Sequence, residues 1–163
     1  MLLPKSGLSR RSILLAPLAL AACGFQPVYG PDGNGTALKN RVLVDEQDTR
    51  EGYILVREIE ERLGRSATPA YGLALNISTQ EEGLATDLEG NTRRFNLIGT
   101  VDYALRDLAT GQIVTSGKVN NFTGYSATGT TVATLAGEQD AQVRLMTILS
   151  DQIVTRLYAA NLG

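Results

Sequence analysis

The one thiol in this 163-residue sequence is Cys23, which stands directly behind an apolar run, Ile13 to Leu20, and the two small residues Ala21 and Ala22. A thiolate is the side-chain nucleophile best suited to alkylation. Its setting here is that of a processing site, since free cysteine in a folded body is normally an inert core residue. The other side chains able to move protons are carboxylates, of which Asp102, Asp107 and Glu138 are the nearest to a hydrolase set. Acid and base carboxylates must face each other across a cleft with separated pKa values, and nothing in their spacing supports that. The chain has no histidine, no serine-centred nucleophile elbow and no metal-ligand cluster. The expectation is no catalytic residue, no metal and no cofactor.

Cys23 is preceded by the layout of an export signal. Lys5, Arg10 and Arg11 form a basic start, the run from Ile13 to Leu20 is apolar, and small residues end at Ala22. The apolar stretch is too short to span a bilayer core of about 30 Å as a helix. Leu20-Ala21-Ala22-Cys23 resembles the lipobox of bacterial lipoproteins, where a diacylglycerol is attached to the thiol and a peptidase cuts before it. Residues 1–22 are thus expected to be a signal peptide, cut between Ala22 and Cys23, with Cys23 as the lipidated first residue. Each buried methylene of an acyl chain contributes roughly 0.8 kcal/mol, so two or three chains anchor lastingly where one does not. Gly24, in place of aspartate after the cysteine, points to the outer membrane by resemblance to lipoprotein sorting. Ser9-Arg10-Arg11-Ser12-Ile13-Leu14 looks like a twin-arginine signal with Ile13 in the phenylalanine position, and both that route and Sec export fit.

Without Lys5, Arg10 and Arg11 the basic residues fall from 15 to 12 against 17 acidic ones, a mature charge of -5. Nucleic-acid binding, which depends on a basic footprint, is not expected. Hydrophobic residues at 43% and charged residues at 20% describe a chain that can bury a core.

The elements that would carry these groups follow from periodicity. Residues 23–40, dense in proline and glycine, read as a lipidated flexible tether, and 41–163 as one domain. Arg41 to Val44 is a short strand. Asp48-Thr49-Arg50-Glu51 resembles a capping box, and Leu55, Ile59 and Leu63 repeat every fourth residue up to Gly64, predicting a helix over 51–63. Glu58 with Arg62 and Glu61 with Arg65 are spaced to pair on its solvated side. Leu73, Leu75 and Ile77 alternate, as do Phe95 to Leu105 and Ile113 to Val119, with a tight connection over 107–112. These form an antiparallel meander. The other side of the last two strands carries Asn96, Thr100, Asp102 and Arg106, then Gln112, Ser116, Lys118 and Asn120. This face is polar but lightly charged, and would suit the water-lined interior of a large barrel. Leu145, Leu149, Ile153 and Leu157 predict a last helix over 139–158. The fold class is α+β, a two-layer sandwich in the order βαβββα. Its four-stranded sheet, an antiparallel meander plus one short strand, has two helices on one face.

Leu20 to Pro27, Gly99-Thr100-Val101-Asp102-Tyr103 with Asp107 to Gly111, and Asp140-Ala141 through Leu157 together resemble the LptE lipoproteins, in their alphaproteobacterial form. The resemblance runs over most of the mature chain. It implies an outer-membrane lipoprotein, anchored through Cys23 and facing the periplasm or a barrel lumen. Such a protein plugs and helps assemble an LptD-like β-barrel and contacts lipopolysaccharide. Lipopolysaccharide presents phosphates and sugar carboxylates, which call for Arg or Lys donors. Arg93 and Arg94, near a hairpin tip, and Lys118, the only lysine after Lys39, are the candidates. The competing assignment is an auxiliary lipoprotein subunit of an ABC-type lipid transport system.

Overall fold

The computed structural model describes residues 30, 33–86, 90, 92–127 and 129–162; the expected signal segment 1–22 and the expected lipidation site Cys23 lie outside them. The elements run α1 (Asn34–Leu38), β1 (Val42–Val44), α2 (Arg50–Leu63), β2 (Tyr71–Thr86), β3 (Thr92–Asp107), β4 (Ile113–Ser126) and α3 (Thr131–Ala159). The sheet order is β1-β2-β3-β4. β1 lies parallel to β2, and the remaining pairs are antiparallel. A parallel pair needs a crossover, and α2 supplies it. The expected α+β order is therefore present, with one short helix added at its start.

Both long helices lie on one side of the sheet. From α3, Leu145, Met146, Leu149, Ile153 and Leu157 are fully buried, as are Leu55 and Ile59 of α2 and Leu73, Val101 and Leu105 of the sheet. Burying each such side chain contributes roughly 1.5–3 kcal/mol, so this seam holds the two layers together. Gly99 sits at its closest point. A Cβ there would lie 2.9 Å from Leu149 Cδ1 and 3.0 Å from Leu145 Cδ2, so the absence of a side chain lets α3 approach β3.

Several local expectations need correction. Residues 34–38, read as part of the tether, form α1. Leu38 is fully buried, and the Asn34 side-chain amide donates to the carbonyls of Tyr158 (2.9 Å) and Ala160 at the end of α3. The packed body thus begins before residue 41, because one leucine and one amide tie this segment down. Thr49, not Asp48, caps α2, its Oγ1 accepting from Gly52 N–H at 3.1 Å; with glycine at that third position the reciprocal half of a capping box is missing. Glu58 pairs with Arg62 at 3.1 Å, as expected. Arg65 turns instead to Glu60 (2.7 Å) and Glu61 to Arg57 (3.7 Å). Gly64 ends the helix at φ 79°, so Arg65 no longer lies one helical turn from Glu61. β2 continues through the polar stretch to Thr86, and α3 starts at Thr131, capped by Thr130 Oγ1 accepting from Ala133 N–H at 3.2 Å.

Candidate docking and ligand face

The alternation of β3 decides what the uncovered side of the sheet displays. Leu97, Val101, Tyr103 and Leu105 point to the helices and are buried, while Asn96, Ile98, Thr100, Asp102 and Ala104 between them are half-buried and Arg106 is exposed. The strand register sets these beside residues of β2 and β4 in cross-strand rows. Asn76, Asp102 and Lys118 form one row; Ser78, Thr100 and Asn120 the next; then Gln80, Ile98 and Phe122; then Glu82, Asn96 and Gly124. Amides and hydroxyls dominate, and the expected polar face is present. Strands of 14–16 residues make it about 50 Å long. Lys118 Nζ meets Asp102 Oδ1 at 3.2 Å, both half-exposed, and at the lower end Arg106 Nη2 lies 3.4 Å from Asp45. Exposed pairs like these contribute about 0–1 kcal/mol, so they set local charge more than stability.

The three basic residues singled out from the sequence do not converge. Arg94 and Lys118 share the uncovered face, but Lys118 is level with Asp102, eight positions from Arg94 along β3, a separation of about 27 Å. Arg94 is exposed and has no ion-pair partner among the described residues. Arg93 follows the opposite parity, and its carbonyl accepts from Ala127 N–H at 3.0 Å. The three carboxylates are equally scattered. Asp102 pairs with Lys118. Asp107 accepts from Ala109 N–H, Thr110 N–H and Thr110 Oγ1 at 2.8–3.1 Å. These bonds, chiefly those from Thr110, hold its carboxyl below the usual range. Glu138 lies on α3 and accepts from Gln142 at 3.4 Å. Among the described residues the contacts of these carboxylates are those of a strand face (Asp102), a turn (Asp107) and a helix surface (Glu138).

Sequence reasoning missed a groove of about 460 Å³ on the uncovered face, lined by Glu82, Asn96, Ile98, Asn120, Asn121 and Phe122. Phe122 is 61% exposed and is the cross-strand partner of Ile98. The signal was available in part, as Phe122 continues the polar parity of Lys118 and Asn120 with an aromatic ring. On the helix side, Phe95 and Tyr125 stack with centroids 5.3 Å apart. Tyr125 Oη donates to Glu81 at 2.6 Å. Desolvation and then this bond raise the phenol above its ordinary range. Among the described residues no helix is long and apolar enough to cross a membrane.

The family model described as LptE, lipopolysaccharide-assembly, matches residues 35–157. No curated protein matches the sequence. Among solved structures, a protein described as a lipoprotein from Caulobacter crescentus is 26% identical, covering 80% of this chain and 96% of its own, with a TM-score of 0.65. Rare lipoprotein B from Shewanella oneidensis is 18% identical over 73% of this chain and 92% of its own, at a TM-score of 0.58. A minor lipoprotein from Acinetobacter baumannii is 15% identical over 75% and 91%, at 0.56. The last two are likenesses of fold.

Proposed function

The chain belongs to the LptE family of lipopolysaccharide-assembly proteins, and from that premise we propose that it is a lipid-anchored binding partner, not an enzyme, seated in an LptD-like outer-membrane barrel. The observation that carries this reading is the uncovered sheet face, whose rows of Asn, Ser, Thr and Gln match a water-lined lumen better than a lipid surface or a dry protein core. A helix-covered opposite side gives that face a stiff backing, so it can dock without reorganising. The anchor is Cys23, acylated after cleavage behind Ala22, which confines the body to the inner surface of the outer membrane. Lipopolysaccharide contact through Arg94, with Arg93 and Lys118 as further donors, fits the need of its phosphates for guanidinium and ammonium groups.

The test is affinity isolation of the intact lipoprotein from detergent-solubilised outer membrane. The expected result is a large barrel in near-equal amount. Recovery of the protein alone, or with an inner-membrane permease in place of a barrel, overturns the proposal. Cys23→Ser in the same strain is expected to release the protein from the membrane fraction.

A further inference from the structure

We propose that the groove around Phe122 is a saccharide-binding site, taking the uncharged, hydroxyl-bearing face of a sugar chain. Ile98 and Phe122 form an apolar platform across β3 and β4. Asn96 lies two residues to one side of Ile98, and Asn120 two residues to the other side of Phe122, so amides flank the platform at about 7 Å in each direction. Glu82 and Asn121 complete the lining. Among the described residues the side chains of Glu82, Asn96 and Asn120 have no hydrogen-bond partner, and Asn121 Oδ1 is held by the Phe122 N–H at 2.8 Å. Gly124, opposite Asn96, contributes no side chain, which leaves that end of the groove open.

Each part of this arrangement selects for sugars. A pyranose presents a face of C–H groups whose weak positive charge suits the negative face of an aromatic ring. Its hydroxyls each donate and accept, and so does a carboxamide, while a carboxylate accepts only. Phosphate ligands call for cationic donors, and no Lys or Arg lines the groove. Glu82 adds a repulsive charge, so anionic groups are disfavoured there. The exposed apolar residues elsewhere, such as Val132 and Leu135 on α3, have no comparable ring of amides.

The proposal deepens the assembly reading, since lipopolysaccharide carries sugars, but the glycan strands of the cell wall share the chemistry. The full chain, purified in a detergent without a sugar headgroup, is titrated with lipid-free core oligosaccharide and separately with peptide-free cell-wall glycan. Binding is followed by calorimetry and by amide shifts. Saturable binding with shifts at residues 96–98 and 120–122 is expected. Core binding identifies lipopolysaccharide as the source, and glycan-strand binding identifies the cell wall. Phe122→Ala and Asn120→Ala are each expected to weaken binding about three- to tenfold, the range of one interaction of this kind. Phe122→Tyr, which keeps the platform, should restore it, and Val132→Ala, at the exposed start of α3, should leave it unchanged. Unaltered thermal unfolding of the Phe122 variants separates lost binding from lost fold. Absence of saturable binding to both saccharides overturns the proposal, as does binding indifferent to Phe122→Ala and Asn120→Ala. Loss of barrel co-isolation in those variants with no saccharide binding by the parent would make the groove a protein contact and refute the sugar site. Barrel recovery is read in a separate assay, so the assembly reading stands or falls independently.

Discussion

Replacing Gly99 with alanine puts a methyl group into the seam between β3 and α3. An added Cβ would lie 2.9 Å from Leu149 Cδ1, 3.0 Å from Leu145 Cδ2 and 3.2 Å from Leu145 Cγ, whereas carbon pairs settle at about 3.5–4.0 Å. Both leucines are fully buried, so neither can swing aside without displacing its own neighbours. Overpacking of this kind typically costs about 1–3 kcal/mol. Alanine recovers roughly 0.5–1 kcal/mol relative to glycine in a strand. Contacts this short to two fully buried side chains put the cost in the upper half of the overpacking range. The expected net loss is therefore about 1–2.5 kcal/mol, a fall in Tm of about 3–10 °C for a body of this size. Thermal unfolding followed by circular dichroism measures it. Leu145→Ala alone should cost about 2–5 kcal/mol, and combined with Gly99→Ala should cost less than the two changes summed, because the methyl fills part of the space the leucine vacates. Gly124→Ala on the uncovered face, where the nearest atom to an added Cβ is Asn96 Oδ1 at 3.4 Å, should be neutral or mildly stabilising. A Gly99→Ala protein that melts at or above the parent, or strict additivity with Leu145→Ala, would refute the account of how the layers meet.

Asn34→Ala removes the two amide bonds to the end of α3 and is expected to destabilise by about 1–3 kcal/mol. Faster hydrogen exchange at Lys39, whose N–H donates to Gly35 O, would localise the effect, and unchanged exchange there would contradict it. The Tyr125 phenol is raised by desolvation and by its bond to Glu81. Its contribution to stability is therefore complete below the ordinary tyrosine pKa of about 10 and is lost as pH rises through the higher folded value. Tyr125→Phe should be less stable at neutral pH and show a shallower alkaline decline in denaturant unfolding. An identical alkaline slope in both proteins would show that this bond carries no linkage.

How much of this could be read from the sequence depended on whether burial left a periodic trace. α2 was legible because Leu55, Ile59 and Leu63 face one core, and Gly64 closes the element in a conformation that disfavours side chains. β3 was legible because every second residue from Leu97 to Leu105 is buried. The upper half of β2 was not. Residues 78–84 are exposed on both faces, so no alternation marks them, and only pairing with β3 makes them a strand. The first two turns of α3 project beyond the core, leaving no stripe to detect. α1 hinged on Leu38 alone, amid glycines. The scattered basic residues illustrate the reverse limit. Arg93 and Arg94 are adjacent in sequence but alternate between faces, and Lys118 is separated from them by register. The groove was hidden for the same reason, since Ile98 and Phe122 become neighbours only through the β3–β4 ladder.

The clasp between Asn34 and the last turn of α3 also determines how the body would bear mechanical load. Tension on the chain ahead of Gly33 reaches the carbonyls of Tyr158 and Ala160 before it reaches any strand. Unravelling the five residues of α1 would release about 9 Å of slack, the difference between extended and helical rise. Force applied to the chain ahead of Gly33 would therefore be taken up first by this short turn, and the sheet would keep its shape.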